Sequence, residues 1–250
     1  MKNIIGFIKY TSLTVALITI WEWSSWSGWV PPYMLPAPHE VVVTGYETLK
    51  DGSLLKNIFA SLSRVFIGFI FAVGTGVALG ILVAVSDNVR IFTQLPLQIL
   101  RPIAPIAWIP IMILLFGIGE VSKTAIIFIG AFFPIFANTV SAITQIDPRY
   151  FEVSKIFEVP RTKLVWKLII PAALPQVASG LRISLGCAWL CVVAAEMIAA
   201  KSGLGYMLDD GRALAQPDKV ILAMIVIGII GKYMDDILWR MERKVNPYQN

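Results

Sequence analysis

Long apolar stretches alternate with short polar ones along this chain, and the apolar stretches run to about 20 residues, the length a helix needs to cross a hydrocarbon core. Six can be drawn, over residues 10–30, 65–85, 100–118, 124–146, 177–200 and 220–239. Only helices or closed barrels satisfy their backbone groups in lipid, and stretches this long and unbroken predict helices. The expected fold is therefore all-α and integral to a membrane, with one transmembrane domain over 1–250. Residues 147–175 interrupt the pattern between the fourth and fifth spans with a polar, basic hinge. Within Glu152-Val-Ser-Lys-Ile-Phe-Glu158, the apolar Val153, Ile156 and Phe157 fall at i, i+3 and i+4. A short helix here presents one apolar stripe and one charged side, the outline of a docking helix. Pro160 suits the first turn of a second helix, and Pro171 and Pro175 mark where that helix gives way to the fifth span.

The amino end needs separate reading, because Lys2 and Lys9 before an apolar run resemble a signal peptide. That run ends in Trp21, Glu22, Trp23, Trp26 and Trp29 rather than in a small-residue cleavage site, so it is read as a retained span with an aromatic belt. Pro31 to Pro38 is expected to be stiff and extended, and residues 41–60 to follow as a surface helix. The composition agrees with a membrane setting: 57% hydrophobic, 15% charged, mean hydropathy +0.73. A net charge of +5 would suggest nucleic acid for a soluble protein, but here the basic residues flank apolar spans, so no nucleic-acid partner is expected. Their bias puts the hinge (Arg149, Lys155, Arg161, Lys163, Lys167) and both chain ends in the cytoplasm. Arg64 and Lys123 then fall on the opposite face.

Catalytic chemistry finds no constellation. Cys187 and Cys191 read as small packing residues, the lone His39 as a surface residue, and no metal-ligand cluster stands at usable spacing. Gly117-Ile-Gly-Glu-Val-Ser-Lys-Thr124 comes nearest to a phosphate loop, but Ser122 replaces the Gly before Lys, and an exterior turn between spans is the expectation. The chain is not read as an enzyme. Groups that hydrocarbon does not tolerate are the candidates for a translocation path. Glu196 lies deep in the fifth span, where a carboxylate is either a gate or substrate contact, or one half of a structural pair with Arg182 of a second copy or a backbone donor. Pro102, Pro105 and Pro110 break the third span, and freed backbone groups survive there only against protein or a wet cavity. Trp108 sits among them, Arg101 at their edge suits an anion, and Asn138 in the fourth span bonds a neighbouring helix or faces the path. Gly76 and Gly80 permit close helix packing within the chain or across a dimer, and Lys232 precedes Asp235 and Asp236 at ion-pairing distance in a helix.

The hinge resembles the cytoplasmic "EAA" loop of membrane permeases of binding-protein-dependent ABC importers. Glu152-Val153-Ser154 stands at its start and Ile170-Pro171 at its later pair. The resemblance extends to Arg101-Pro-Ile-Ala-Pro-Ile-Ala-Trp-Ile-Pro110, Phe116-Gly-Ile-Gly-Glu120, Gly180-Leu-Arg182, Ala194-Ala-Glu-Met197 and Gly203-Leu-Gly-Tyr-Met207, which are similar to the sulfonate, taurine and nitrate branch. The sequence departs from the pattern at Val153 and Ser154, which replace two Ala, and at Glu158, where the family has Gly. A helix end set by Pro160 rather than by a Gly turn is the expectation. The resemblance implies a type I importer permease with six spans, working as a homodimer in a bacterial or archaeal inner (plasma) membrane. Its partners would be two ATP-binding cassette ATPases, which hold ATP and Mg, and a periplasmic or extracellular solute-binding protein. Glu152, Val153, Lys155, Ile156, Phe157, Glu158, Arg161 and Lys163 would form the coupling helix and its rim. The cargo implied is a small anion such as a sulfonate (taurine or an alkanesulfonate), nitrate or bicarbonate, with a vitamin precursor or other small organic solute as the alternative. A secondary transporter or channel also fits six spans and a buried Glu196.

Overall fold

Two close-packed helix seams, both on α6, hold the bundle. A computed structural model describes residues 2–28, 31 and 33–245, with side chains except at 2–11, 155, 161–162 and 245. Gly68, Ala72, Gly76 and Gly80 recur every fourth residue on α3 (Ser53–Val85) and meet Ile127, Ala131, Ile135 and Thr139 at the same spacing on α6 (Glu120–Thr144). Small residues at i+4 let the two backbones approach, the usual way helices associate where lipid supplies no hydrophobic drive. Both stripes rise together in residue number, so α3 and α6 run parallel. The Gly76 and Gly80 pair therefore serves packing within the chain. Across the other face of α6, Gly130 meets Cys191 and Gly180 meets Asn138, which sets α9 (Ile170–Ala199) antiparallel. The last helix, α11 (Pro217–Val245), returns along α9, tied by Trp189 Nε1–H to the Ile227 carbonyl at 3.1 Å.

The remaining elements adjoin these helices. At one end α1 (Lys2–Trp26) leads into α2 (Pro38–Lys50), and α10 (Leu204–Ala213) joins α9 to α11. At the other end lie α7 (Pro148–Ile156) and α8 (Arg161–Leu164). Between α3 and α6 the chain returns through α4 (Asp87–Leu100), a 3₁₀ turn at Pro105–Trp108 and α5 (Ile109–Phe116). No strand occurs among the described residues.

Several elements differ from the sequence pattern. Three helices are long and apolar enough to cross a membrane, Ser53–Val85, Glu120–Thr144 and Val165–Ala199. Among the described residues, the pair Asp87–Leu100 and Pro105–Phe116 is apolar enough only when taken together and is bent by 92°, the shape of a broken span or a re-entrant loop, so 100–118 is not one straight span. The prolines explain the bend, since Pro102 and Pro105 remove two backbone donors three residues apart, within one helical turn. The expected surface helix over 41–60 breaks at Gly52, whose φ of +78° glycine adopts without strain. Its first half, α2, packs on α11 through a 2.6 Å hydrogen bond from the Thr44 hydroxyl to Asp218. The segment before it is a turn rather than extended, with the amides of Met34 and Leu35 donating to the Pro31 carbonyl. Pro171 and Pro175 do not end a helix. From Arg161 the chain coils through a π-helical turn at Val165–Ile169 into α9, with Pro171 in the first turn and Pro175 inside. Lys232 pairs with Asp236, while Asp235 is taken by Arg182.

Candidate functional site

Three places carry chemistry, and the first is the hinge. Phe151, Leu164 and Val165 anchor it by packing on a small core of Ala142, Ile143, Ile146, Ile169 and Ala173, where α6 ends and α9 begins. With that face occupied, the others are bare: Val153 is half exposed, and Ile156 and Phe157 are 77% and 74% exposed. Val159 and Trp166, later in the hinge, are exposed as well. Helix α7 begins at Pro148 and ends at Ile156, earlier at both ends than Glu152 to Glu158, so Phe157 and Glu158 form the turn that closes it. The Val159 amide reaches the Ser154 carbonyl at 3.0 Å and Glu158 takes φ +48°. This is a left-handed helix cap with the residue after the C-cap in the conformation glycine favours. The expectation that Pro160 would spare Glu158 that conformation is corrected: Glu158 keeps the glycine geometry without the glycine. Glu158 in the turn and Lys163 on α8 are exposed, Glu152 borders a groove against the ends of α3 and α6, and the side chains of Lys155 and Arg161 lie outside the described residues.

The broken segment is the second place. Trp108 packs with Ile109, Met112, Ile126, Cys191 and Ala195, its indole N–H buried without an acceptor. Pro105 is half-buried, Pro110 exposed and Arg101 exposed at the end of α4. A cavity of about 590 Å³ separates α4 from α3 and α6, with Arg90 and Arg101 on its rim. Asn138 does not reach it. Its amide donates to the Pro134 carbonyl at 2.8 Å and its Cβ fills the space over Gly180.

The third place is a buried ionic cluster at the opposite end of the bundle. Glu196 is 1% exposed. Its carboxylate accepts from Arg64 Nη1 at 2.6 Å, from the Ser61 hydroxyl at 2.8 and 2.9 Å, and from the Gly205 amide at 3.0 Å. Arg64 also donates to Glu120 at 2.6 and 2.9 Å and to the Ser202 carbonyl at 2.6 Å, and Lys123 closes on Glu120 at 2.8 Å. Two acids and two bases thus balance. Gly203 at φ +119° leaves no room for a Cβ beside the Glu196 carboxylate, so the turn from α9 to α10 is moulded on that side chain. Arg182 does not partner Glu196: it holds Asp235 at 2.6 and 2.7 Å and Glu242 at 3.6 Å, joining α9 to α11. Arg64 and Lys123, expected as loop charges, are both buried. The one local signal is that Ser61 and Arg64 stand at i and i+3, on one face of α3.

Beside the cluster, a cavity of about 580 Å³ opens among α2, the start of α3 and α10. On its wall Asp51 is held below the usual carboxylate range by hydrogen bonds from Ser53, and the nearby Asp210 charge pushes the Tyr206 phenol up. His39 sits at the surface, 2.9 Å from Glu22. The 117–124 segment is the turn between α5 and α6, and no group of three or more potential metal ligands occurs among the described residues.

Residues 76–241 match the family "Binding-protein-dependent transport system inner membrane component". A Bacillus subtilis (strain 168) permease protein, SsuC, named for aliphatic sulfonates transport, is 37% identical over 98% of this chain and 89% of its own. The taurine transport system permease protein TauC of Escherichia coli (strain K12) is 31% identical over 93% and 86%. The nitrate import permease protein NrtB of a Synechocystis species is 34% identical over 85% and 81%. Among solved structures, a chain of the MetNI methionine ABC transporter in an inward-facing conformation superposes with a TM-score of 0.70 at 19% identity, over 78% of this chain and 97% of that one.

Proposed function

Since this chain belongs to the inner membrane components of binding-protein-dependent transport systems and is the permease subunit of an ABC importer, we propose that it carries a small oxyanion, a sulfonate or nitrate, and that α7 is its coupling helix. The observation that carries the coupling reading is the bare apolar patch of Val153, Ile156 and Phe157 on a basic loop. Such a patch, rimmed by Glu152, Glu158, Lys163 and the loop's other charges, fits a groove on a partner. That partner is an ATPase with its own ATP and Mg, so ATP-driven closure moves α7 and the bundle above it. The hinge lies in the cytoplasm and the α10 end faces the solute-binding protein. Six crossings follow if the bent pair, α1 and α11 also span, with both chain ends inside an inner membrane, and a second copy completes the path as a homodimer. Glu196, enclosed by four hydrogen bonds, is assigned to holding the α9–α10 turn rather than to the path.

Affinity purification of the chain from its native membrane, followed by mass spectrometry, tests the reading. An ATPase and a solute-binding protein are expected to remain bound. A chain that emerges alone and moves a solute in liposomes without ATP is instead a secondary transporter or channel.

A further inference from the structure

Among the described residues, one face of α11 has no partner. Ile229, Tyr233, Ile237 and Met241, at i, i+4, i+8 and i+12, are each more than half exposed and form one continuous apolar stripe. At about 3.6 residues per turn, Arg240 and Lys244 fall about 20° to either side of Tyr233, so two exposed cations stand on the axis of that stripe, at its carboxyl end. Arg243 lies beside them, its guanidinium 4.2 Å from the centre of the Trp239 ring. The carboxylates of the neighbouring turns are committed elsewhere, Asp235 and Glu242 to Arg182 and Asp236 to Lys232. Arg240, Arg243 and Lys244 make no ion pair among the described residues. Like charges at i, i+3 and i+4 on a helix repel, so this end of α11 calls for an anion that the described residues do not supply.

From that arrangement we propose that the carboxyl end of α11 binds an anionic phospholipid of the inner leaflet, its phosphate between Arg240 and Lys244 and an acyl chain along Ile237, Tyr233 and Ile229. The proposal rests on the reading that α11 spans the membrane with its carboxyl end inside. Cations in a cytoplasmic loop satisfy topology on any face. Here they lie on the same face as the apolar stripe, which is where a headgroup meets its own chains. The planar fork of Arg240 suits two phosphate oxygens, and Lys244 adds a compact charge. Trp239 fits the depth, since indoles settle at the headgroup level. A zwitterionic lipid would bring its own ammonium group among three cations, so the headgroup is one of net negative charge, such as phosphatidylglycerol. A second copy of this chain is a poorer occupant, because two-fold copies inserted the same way up would set Arg240 and Lys244 against their own counterparts.

The test uses the complex recovered from native membranes, stripped of lipid in detergent and titrated with dioleoylphosphatidylglycerol or dioleoylphosphatidylcholine, with bound lipid counted by native mass spectrometry. Phosphatidylglycerol is expected to stay bound at concentrations about tenfold or more below phosphatidylcholine. Arg240→Gln combined with Lys244→Gln is expected to weaken its retention by about thirtyfold, the scale of two cations near an anionic surface. The pair Lys50→Gln and Lys56→Gln removes the same charge from exposed positions elsewhere and is expected to retain the lipid as the wild type does. Equal retention of the two lipids, full retention in the Arg240 and Lys244 variant, or an equal loss in the Lys50 and Lys56 pair overturns the site. Glycerophosphoglycerol, the headgroup without chains, is expected to compete far more weakly than the lipid; competition at equal concentration shows a free-anion site and overturns the lipid. Ile237→Cys, with Cys187 and Cys191 replaced by Ala, is expected to stay uncross-linked on oxidation, whereas a dimer joined through that thiol puts the second copy on the stripe and overturns the proposal. Lys244→Cys in the same background is expected to react with a membrane-impermeant maleimide only in inside-out vesicles, and reaction in right-side-out vesicles overturns the inner-leaflet assignment. A lipid preference kept by a chain that emerges without an ATPase refutes the importer reading and supports the site; an ATPase recovered on a complex with no lipid preference does the reverse.

Discussion

Replacing Arg64 by Met tests whether the buried cluster is a clamp. The guanidinium touches three elements: Glu196 on α9, Glu120 at the start of α6, and the Ser202 carbonyl in the turn before α10. Met keeps the bulk and removes every one of these bonds. Glu196 retains the Ser61 hydroxyl and the Gly205 amide but loses its counter-charge at 1% exposure. Stranding a buried charge costs about 3–5 kcal/mol, and at roughly 2–4 °C per kcal/mol for a chain near this size the melting temperature should fall by roughly 6–20 °C. The assay is the temperature at which the detergent-purified complex loses its monodisperse elution peak. Adding Glu196→Gln to Arg64→Met removes the stranded charge while leaving an acceptor for Ser61 and Gly205, so the double variant should melt above the single one. A double variant that melts no higher than Arg64→Met, or an Arg64→Met that melts like the wild type, would refute the clamp.

Phe157→Asp should insert normally but recover less ATPase on purification, by about tenfold or more if Phe157 is an anchor of the docking patch; normal recovery sinks that role. Glu158→Gly should relieve a left-handed residue worth about 1–2 kcal/mol, offset by about 0.4–1 kcal/mol of added unfolded-state freedom. Hydrogen exchange at the Val159 amide should then slow by roughly two- to fivefold, and faster exchange would show that Glu158 is held there by something other than backbone need. Gly80→Val pushes a Cβ to within 2.7 Å of Thr139 and should cost about 1–3 kcal/mol by overpacking. Gly74→Ala, which meets nothing within 4 Å, serves as its control, and equal melting of the two variants would undo the α3–α6 seam.

Much of this was legible in the sequence because it follows from period and length. The apolar runs that became α3, α6 and α9 are long enough to announce themselves, and the i, i+3, i+4 stripe at Val153, Ile156 and Phe157 stands bare on the hinge as its spacing implies. What stayed hidden depends on partners distant in sequence. Arg64 looked like a loop charge because an isolated Arg near the end of an apolar run normally reaches for water. Only the fold brings Glu196 to it from 132 residues away. The 92° break was foreshadowed by Pro102 and Pro105, but proline fixes where a helix bends, not how far. Glu158 misled for a related reason: a backbone held from both sides can place a non-glycine residue at positive φ.

The two ends of the bundle are joined mechanically by α9. Its first turns, with the π-helical turn at Val165–Ile169, sit in the small core that also holds Phe151 of α7. Its last turns carry Glu196 into the clamp. Between them α9 packs along α6 without a break and shares the polar ladder of Arg182, Asp235 and Glu242 with α11. A displacement of α7 therefore has a rigid route to the α9–α10 turn, because packed helices move as bodies rather than deform smoothly. By contrast, α4 contributes no buried residue. The chain thus divides into a stiff unit that carries motion and a loosely held helix beside a cavity. On the coupling reading proposed above, a push on α7 would pass through α6, α9 and α11, the helices that pack most closely, and would leave α4 free to shift.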